Sequence, residues 1–255
     1  MRIRSKIWSA GLLALCFAAS GAAFAQESGG RSGLPTESIR RLGSFDLRHN
    51  PAAAAHWFRI AAERGDAPSQ FHLARLTLEG RGVSKNEAEA ARLFRLAAEQ
   101  KHLEAKYELG LLYGEGIGVP HDLAEAARWL RLAASQNHAE AQFVYGAMLS
   151  EGAGVPRNPA EAAFWLRRAA AQEHDEARHI LGLMHVEGRG VAQDDAEAAR
   201  LFRQAAERGF APAQLHLGIL AAEGRGVAQD FNEAALWIGR AAAQGLPEAL
   251  ALAKP

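Results

Sequence analysis

The sequence predicts an all-α fold: a solenoid of five 36-residue helix–turn–helix repeats with half-repeats at both ends. Two observations predict it. The apolar residues follow helical spacing, and no stretch alternates apolar and polar residues as a half-buried strand does. In addition, the pattern Glu-Gly-x-Gly-Val recurs at a constant interval of 36 residues, starting at Glu79, Glu115, Glu151, Glu187 and Glu223.

The first 25 residues have the pattern of a cleaved secretory signal peptide. Arg2, Arg4 and Lys6 precede an apolar run that leads to an Ala-Phe-Ala site at 23–25. An uncleaved membrane anchor is the weaker alternative, because the run is short and is interrupted by a serine and a glycine. We therefore expect a periplasmic or secreted protein.

Removal of the signal peptide changes the charge and the cysteine content. The segment holds three basic residues, which leaves 26 basic against 29 acidic residues, a net charge of −3. This charge argues against nucleic acid as the main partner. The segment also holds Cys16, the only cysteine, so the mature chain is expected to have no disulfide. Residues 26–45 are interpreted as a flexible leader with a short capping segment, and 46–255 as the repeat domain.

Each repeat is predicted to consist of two helices. In the repeat 102–137 the first helix is expected from about Leu103 to Tyr113 and the second from Leu123 to Ser135. The same pattern predicts a half-unit at 50–65, full units at 66–101, 102–137, 138–173, 174–209 and 210–245, and a C-terminal capping helix at 246–255.

The connector between the two helices is interpreted as a turn. Gly116 is expected to end the first helix in a left-handed conformation, and Gly118 to let the chain reverse tightly. Asp122 and Glu125 have the spacing of an N-terminal capping box. A phosphate-binding loop is disfavoured, because the third glycine, the lysine and the preceding strand are all missing.

The repeats are similar to the Sel-one-like repeat family, a relative of the tetratricopeptide repeat. The resemblance implies right-handed stacking of the helix pairs, a concave face lined by the first helices, and a scaffold or adaptor function. Exported bacterial members often serve in envelope signalling or host contact. The family pattern is matched without a gap at Ala105, Leu109, Gly110, Tyr113, Gly116, Gly118, Val119, Asp122, Ala126, Trp129, Ala133 and Ala134.

Four tryptophans share one position of the second helix. Such a register is typical of core packing, so we interpret them as a buried seam and not as a ligand site. They are Trp57, Trp129, Trp165 and Trp237.

No arrangement of residues predicts an enzyme, a cofactor or a metal site. His102, His138 and His174 begin three successive units, but one repeat of separation is too far for shared zinc ligation. We interpret them as polar residues at turns before helices. His179 and His185 replace large apolar residues near Arg178. They fit either a pH-sensitive contact patch or simple variation at partly exposed positions.

A second stripe on the first helices is the predicted binding site for a protein or peptide in the cell envelope. Its apolar residues, edged by one carboxylate per unit, suit a segment with apolar anchors and some basic residues. An envelope enzyme or a glycan-binding module acting on cell-wall material is the alternative, which requires a convergent polar cluster or exposed aromatic residues. The stripe consists of Glu104, Tyr107, Leu111, Glu140, Phe143, Glu176, His179 and Leu183.

We predict that the exported protein begins at Gln26, because signal peptidase cleaves after small residues at the −1 and −3 positions. N-terminal sequencing of the protein from the periplasmic or secreted fraction checks this. Recovery of the intact leader in a membrane fraction would contradict it.

Overall fold

The computed structural model describes residues 33–253, and every regular element in that range is an α-helix. The predicted all-α class and its repeated helix pairs are confirmed. The predicted signal peptide and the leader up to residue 32 lie outside the described residues. The helices are α1 (Thr36–Asp46), α2 (Pro51–Glu63), α3 (Ala67–Glu79), α4 (Glu87–Glu99), α5 (Leu103–Glu115), α6 (Leu123–Ser135), α7 (Ala139–Glu151), α8 (Pro159–Ala171), α9 (Asp175–Glu187), α10 (Asp195–Glu207), α11 (Ala211–Glu223), α12 (Phe231–Ala243) and α13 (Pro247–Leu252).

The chain divides into two compact units between Trp129 and Leu130, inside α6. In the first unit α1 packs on α2 and α3 on α4, while α2–α3 and α4–α5 contacts join successive pairs. In the second unit α7 packs on α8, α9 on α10 and α11 on α12, with α8–α9, α10–α11 and α12–α13 contacts between pairs. Each helix therefore packs mainly on its neighbours in sequence, as expected for repeats.

The first helix pair is more complete than the sequence indicated. Only a capping segment was expected before the half-unit 50–65, but the structure has the eleven-residue helix α1 there. Ile39 of α1 is fully buried against Trp57 and Ala61 of α2. Gly43 lets the two helices approach, because a Cβ at this position would lie 2.7 Å from the Phe58 ring. Thus α1 serves as the first helix of the first pair.

The four tryptophans form part of the core, as predicted. Trp57, Trp129, Trp165 and Trp237 are all less than a tenth exposed. Each lies on the second helix of its pair, and Trp57 and Trp165 pack against Ile39 and Tyr145 of the first helix. The four residues therefore have a structural role.

The predicted helix caps form, but only one arm of each capping box is used. Asp122 Oδ1 accepts hydrogen bonds from the backbone N–H groups of Ala124 and Glu125, at 2.9 and 3.0 Å. The backbone N–H of Asp122 donates instead to the carbonyl of Tyr113, at 2.9 Å. The Glu125 carboxylate is thereby left to accept from the Arg128 guanidinium, at 2.8 Å. The glutamate of the motif is an ion-pair partner and not a cap.

The two glycines of the connector have different roles. Gly116 ends α5 in the left-handed conformation with φ 71°, and its N–H donates to Leu112. Gly118 also has a positive φ, 67°, but a Cβ there would lie 2.1 Å from the carbonyl oxygen of Glu87 at the start of α4. The second glycine therefore also lets the connector touch the preceding repeat.

Buried glutamines on first helices join them to the second helices on either side. The Gln142 amide donates to the carbonyl of Ala134, at 3.1 Å. Its own carbonyl accepts from the Gln172 amide, at 2.8 Å. The same arrangement links Gln214 to Gln244, at 2.9 Å. These pairs were not predicted from the sequence.

We predict that Gly190→Ala destabilises the protein more than Gly209→Ala. Both glycines have a positive φ, 75° and 94°, so each alanine costs about 1–2 kcal/mol in backbone strain. Only at Gly190 would the Cβ also meet backbone, 2.3 Å from the Pro159 carbonyl oxygen, which adds about 1–3 kcal/mol. Equilibrium unfolding in urea measures both losses. Equal losses would show that the connector does not depend on this close approach.

Candidate protein-binding surface

The first helices of the pairs in the second unit lie side by side. The Phe143 ring of α7 stacks on the His174 ring at the start of α9, with centroids 4.4 Å apart. The His179 ring of α9 lies 4.9 Å from the His216 ring of α11. We call the solvent-facing side of α7, α9 and α11 the first-helix surface.

Three of the predicted stripe residues lie in the first unit, on α5. Tyr107 and Leu111 are half-buried, and Glu104 is exposed. The Glu104 carboxylate lies 3.5 Å from Nδ1 of His102. That imidazole in turn stacks on Phe71 of α3, with centroids 4.7 Å apart. His102 thus links the first turn of α5 to Phe71 of the neighbouring first helix.

The other five stripe residues lie on the first-helix surface, but they are not equally accessible. Leu183 and His179 are half-buried, and Glu140 and Glu176 are exposed. Phe143 departs from the expectation: it is only 9% exposed, because the imidazole of the next repeat stacks over it. Phe143 therefore offers little surface to a partner.

The histidines that begin three units are helix N-caps, which explains the polar residues expected at these turns. Nδ1 of His102, His138 and His174 accepts the backbone N–H three residues further on, at 3.3, 3.2 and 3.3 Å. An imidazole nitrogen thus does what an aspartate or serine oxygen usually does. Within residues 33–253, no group of three or more His, Cys, Asp or Glu side chains is placed to hold a metal ion.

His174 also lies between the stripe carboxylates Glu140 and Glu176 and donates to Glu140. Because its Nδ1 accepts the N–H of Ala177, the proton of the neutral ring is on Nε2, which lies 3.1 Å from Glu140 Oε2. This hydrogen bond is the main reason that the pKa of Glu140 is lowered. The Glu176 carboxylate lies 3.3 Å from Nδ1 on the other side of the ring. Both carboxylates remain more than half exposed.

His179 forms a pair that sequence reasoning missed. Nδ1 of His216 donates to the carbonyl of Pro212, at 2.8 Å, and lies 3.2 Å from Nε2 of His179. Since the Pro212 carbonyl can only accept, the proton is on His216, and Nε2 of His179 is unprotonated. Phe202 and Phe210 pack against the His179 ring. Burial, followed by the neighbouring His216, lowers the pKa of His179 to about 3.

His185 and Arg178 do not join this pair. Nδ1 of His185 donates to the carbonyl of Ala192 in the connector, at 3.2 Å. The Arg178 guanidinium donates to Asp175, at 2.9 Å. The contact patch of His179 and His185 that the sequence suggested is therefore not formed, because six residues of helix place them on different sides of α9.

An apolar strip runs across α9 and α11 on the first-helix surface. Its members are half-buried apolar side chains; Leu183 and Val186 pack on one core cluster and Ile219 on the next. Leu183 and Ile219 occupy the same position of successive repeats, so the strip extends over two neighbouring first helices. It comprises Ile180, Leu183, Val186, Ile219 and Ala222.

We predict that His179 makes the protein acid-sensitive. Its folded pKa of about 3 lies below the unfolded value of 6.5, so the unfolded state takes up the proton first. The stabilisation is complete above pH 6.5 and is lost as the pH falls towards 3; about 2 kcal/mol is lost by pH 5. His179→Phe, which copies Phe71 and Phe143, should remove this loss. Urea unfolding near pH 7.5 and about pH 5 measures it.

His185→Tyr is the matched control, since it copies Tyr113 at the equivalent position. We expect this variant to keep the acid sensitivity of the unmodified protein. If His179→Phe loses as much stability on acidification as the unmodified protein, the assignment to His179 is wrong.

No helix within the described range is long and apolar enough to cross a membrane. Among proteins of curated function, none matches this chain.

The family model for the Sel1 repeat matches 39–66, 67–102, 103–138, 139–174, 175–210 and 211–246. A protective antigen of uropathogenic Escherichia coli with an SLR fold is 34% identical, with a TM-score of 0.81. The match covers 84% of this chain and 47% of the antigen, so the chain spans about half the length of that protein. A Sel1 repeat protein from Oxalobacter formigenes is 31% identical over 84% of this chain and 86% of its own, with a TM-score of 0.77. The chain belongs to the Sel1 (Sel-one-like) repeat family.

Proposed function

We propose that this protein is an exported adaptor that binds a segment of another protein on the first-helix surface. Proteins of the Sel1 repeat family generally act as scaffolds for protein interactions. Export is supported by the signal-peptide pattern in the first 25 residues. We place the partner in the cell envelope, where its capture would control an envelope complex or a sensor.

The observation that carries the proposal is the apolar strip. Leu183 and Ile219 lie on neighbouring first helices and keep part of their apolar surface in water. A continuous apolar patch bordered by polar residues is typical of a protein-binding site. The core packing beneath the strip holds these side chains in place, which reduces the entropy that binding costs.

The second helices of the same unit are less suited to binding. Phe164 on α8 and Leu236 on α12 are half exposed. The intervening helix α10 presents Arg200, which is paired with Glu197 at 2.6 Å. Apolar residues that are exposed singly are common on protein surfaces.

We predict that a photo-crosslinking amino acid at Ile219 captures a discrete partner in intact cells, and that one at Phe164 does not. Both positions are on the second unit and both are accessible. Mass spectrometry of the adducts identifies the partner. A strong adduct from Phe164 without one from Ile219 would place binding on the second helices instead.

The variant Leu183→Ser with Ile219→Ser should abolish capture by a crosslinker at Ala222. Each loss of a half-buried side chain costs about 1–2 kcal/mol, so thermal melts are used to check that this variant is still folded. Phe164→Ser is the matched control and should retain capture. If the double variant is folded and captures the partner normally, the strip is not the binding site.

A further inference from the structure

Among the helices of the second unit, the net negative charge lies on the first helices. The helices α7, α9 and α11 carry six carboxylates and a single cationic side chain, Arg178, which is paired with Asp175. The second helices α8, α10 and α12 carry five acidic and five basic side chains, so their charges balance. The first-helix surface is therefore acidic, while the opposite side is neutral.

These carboxylates border the apolar strip at both ends of the helices. Glu140 and Glu176 lie in the first turns of α7 and α9, and we call them the N-terminal rim. Glu151, Glu187 and Glu223 are the last residues of α7, α9 and α11, and we call them the C-terminal rim. Glu176 and Glu187 are eleven residues apart on α9, which corresponds to about 16 Å along the helix axis.

The two glutamates of the N-terminal rim lie beside imidazoles. Within residues 33–253, both carboxylates lie close to the ring of His174, and Glu140 also feels the charge of His138, while Arg208 pairs with Glu173 and Asp175. The side chains of Glu140 and Glu176 are 57% and 54% exposed and can reach a charge on a partner. Neither carboxylate is paired with a lysine or arginine of the described residues, so each can accept a cation from a partner.

The C-terminal rim is compensated in part. Arg189 and Arg225 of the connectors lie 3.3 and 3.2 Å from Glu187 and Glu223. In the described part of the chain, Glu151 has no such arginine, since its connector carries Ala153 at the corresponding position. A carboxylate at the end of a helix is also disfavoured by the helix dipole, so a cation from a partner stabilises it.

Resting on the function proposed above, we infer that the first-helix surface binds a cationic amphipathic segment of its partner. Large apolar side chains of this segment fill the strip over Leu183 and Ile219. Lysine or arginine side chains on its two flanks reach the carboxylates of the rims. The separation of the rims suits a helix, whose diameter with side chains is about 10–12 Å. An anionic partner, including an anionic lipid surface or nucleic acid, is repelled from the same carboxylates.

The test uses two labelled probe peptides of about 14 residues, with leucines at helical spacing and either lysine or glutamate at all other positions. Fluorescence anisotropy with the full chain measures their affinities at low and physiological salt. We expect the lysine peptide to bind about tenfold tighter or better than the glutamate peptide, and more weakly as salt rises.

Matched variants locate the charges. Glu140→Gln with Glu176→Gln should weaken binding of the lysine peptide about fivefold and reduce its salt dependence. Glu99→Gln with Glu207→Gln removes the same charge from exposed positions at the ends of the second helices α4 and α10 and should leave affinity unchanged. An equal loss in both variants would overturn the inference, because net charge alone would then explain the preference.

The outcomes separate this inference from the function on which it rests. Equal binding of both peptides, lost in Leu183→Ser with Ile219→Ser, overturns the cationic preference and leaves the docking strip in place. Failure of both peptides to bind, with a crosslinked partner still formed at Ile219, also overturns the preference alone. Failure of the peptides and of crosslinking overturns both.

Discussion

Successive repeats of this protein are held together where the backbone of a connector lies against the backbone of the preceding repeat. At Gly118 and Gly190 a Cβ would lie within 2.1 and 2.3 Å of a carbonyl atom at the start of the previous second helix. A contact between two backbones varies little, since no rotamer change can relieve it. It fixes the position of the connector against the preceding repeat, and thereby where the next second helix starts.

The distance between neighbouring repeats determines how much of the first-helix surface is exposed to solvent. Neighbouring first helices lie close enough for the residue that begins one repeat to cover the preceding repeat. His174 covers Phe143 in this way, which closes the surface over α7. Phe210 meets His179 edge-on and leaves Leu183 partly open. The apolar strip is therefore restricted to α9 and α11.

The local features could be predicted from the sequence, and the contacts between repeats could not. The helix Leu123–Ser135, the cap at Asp122 and the turn at Gly116 follow from residues close together in the chain. Helix α1 was missed because it is not followed by the Gly-x-Gly-Val connector that reveals the other repeats.

The candidate site was predicted only in part, because some of its contacts join different repeats. Its helices and most of its positions follow from the helical period, and Glu140 and Glu176 are exposed as expected. The covering of Phe143 and the pair of His179 with His216 depend on partners 31 and 37 positions away. The His179–His216 pair has a signal in the sequence. The two histidines occupy adjacent positions of successive repeats, which neighbouring helices bring together.

The buried glutamine pairs have a consequence for how near-identical repeats avoid stacking in the wrong order. In the second unit the same repeat position holds Gln142, then Arg178, then Gln214. Gln172 donates to the Gln142 carbonyl, and a guanidinium in that place offers no acceptor. A slip by one repeat, within a chain or between two chains exchanging repeats, breaks this hydrogen bond and leaves the exposed Gln172 amide to water. A slip by two repeats restores a glutamine acceptor, so it is favoured over a slip by one repeat by about one hydrogen bond, about 0.5–1.5 kcal/mol.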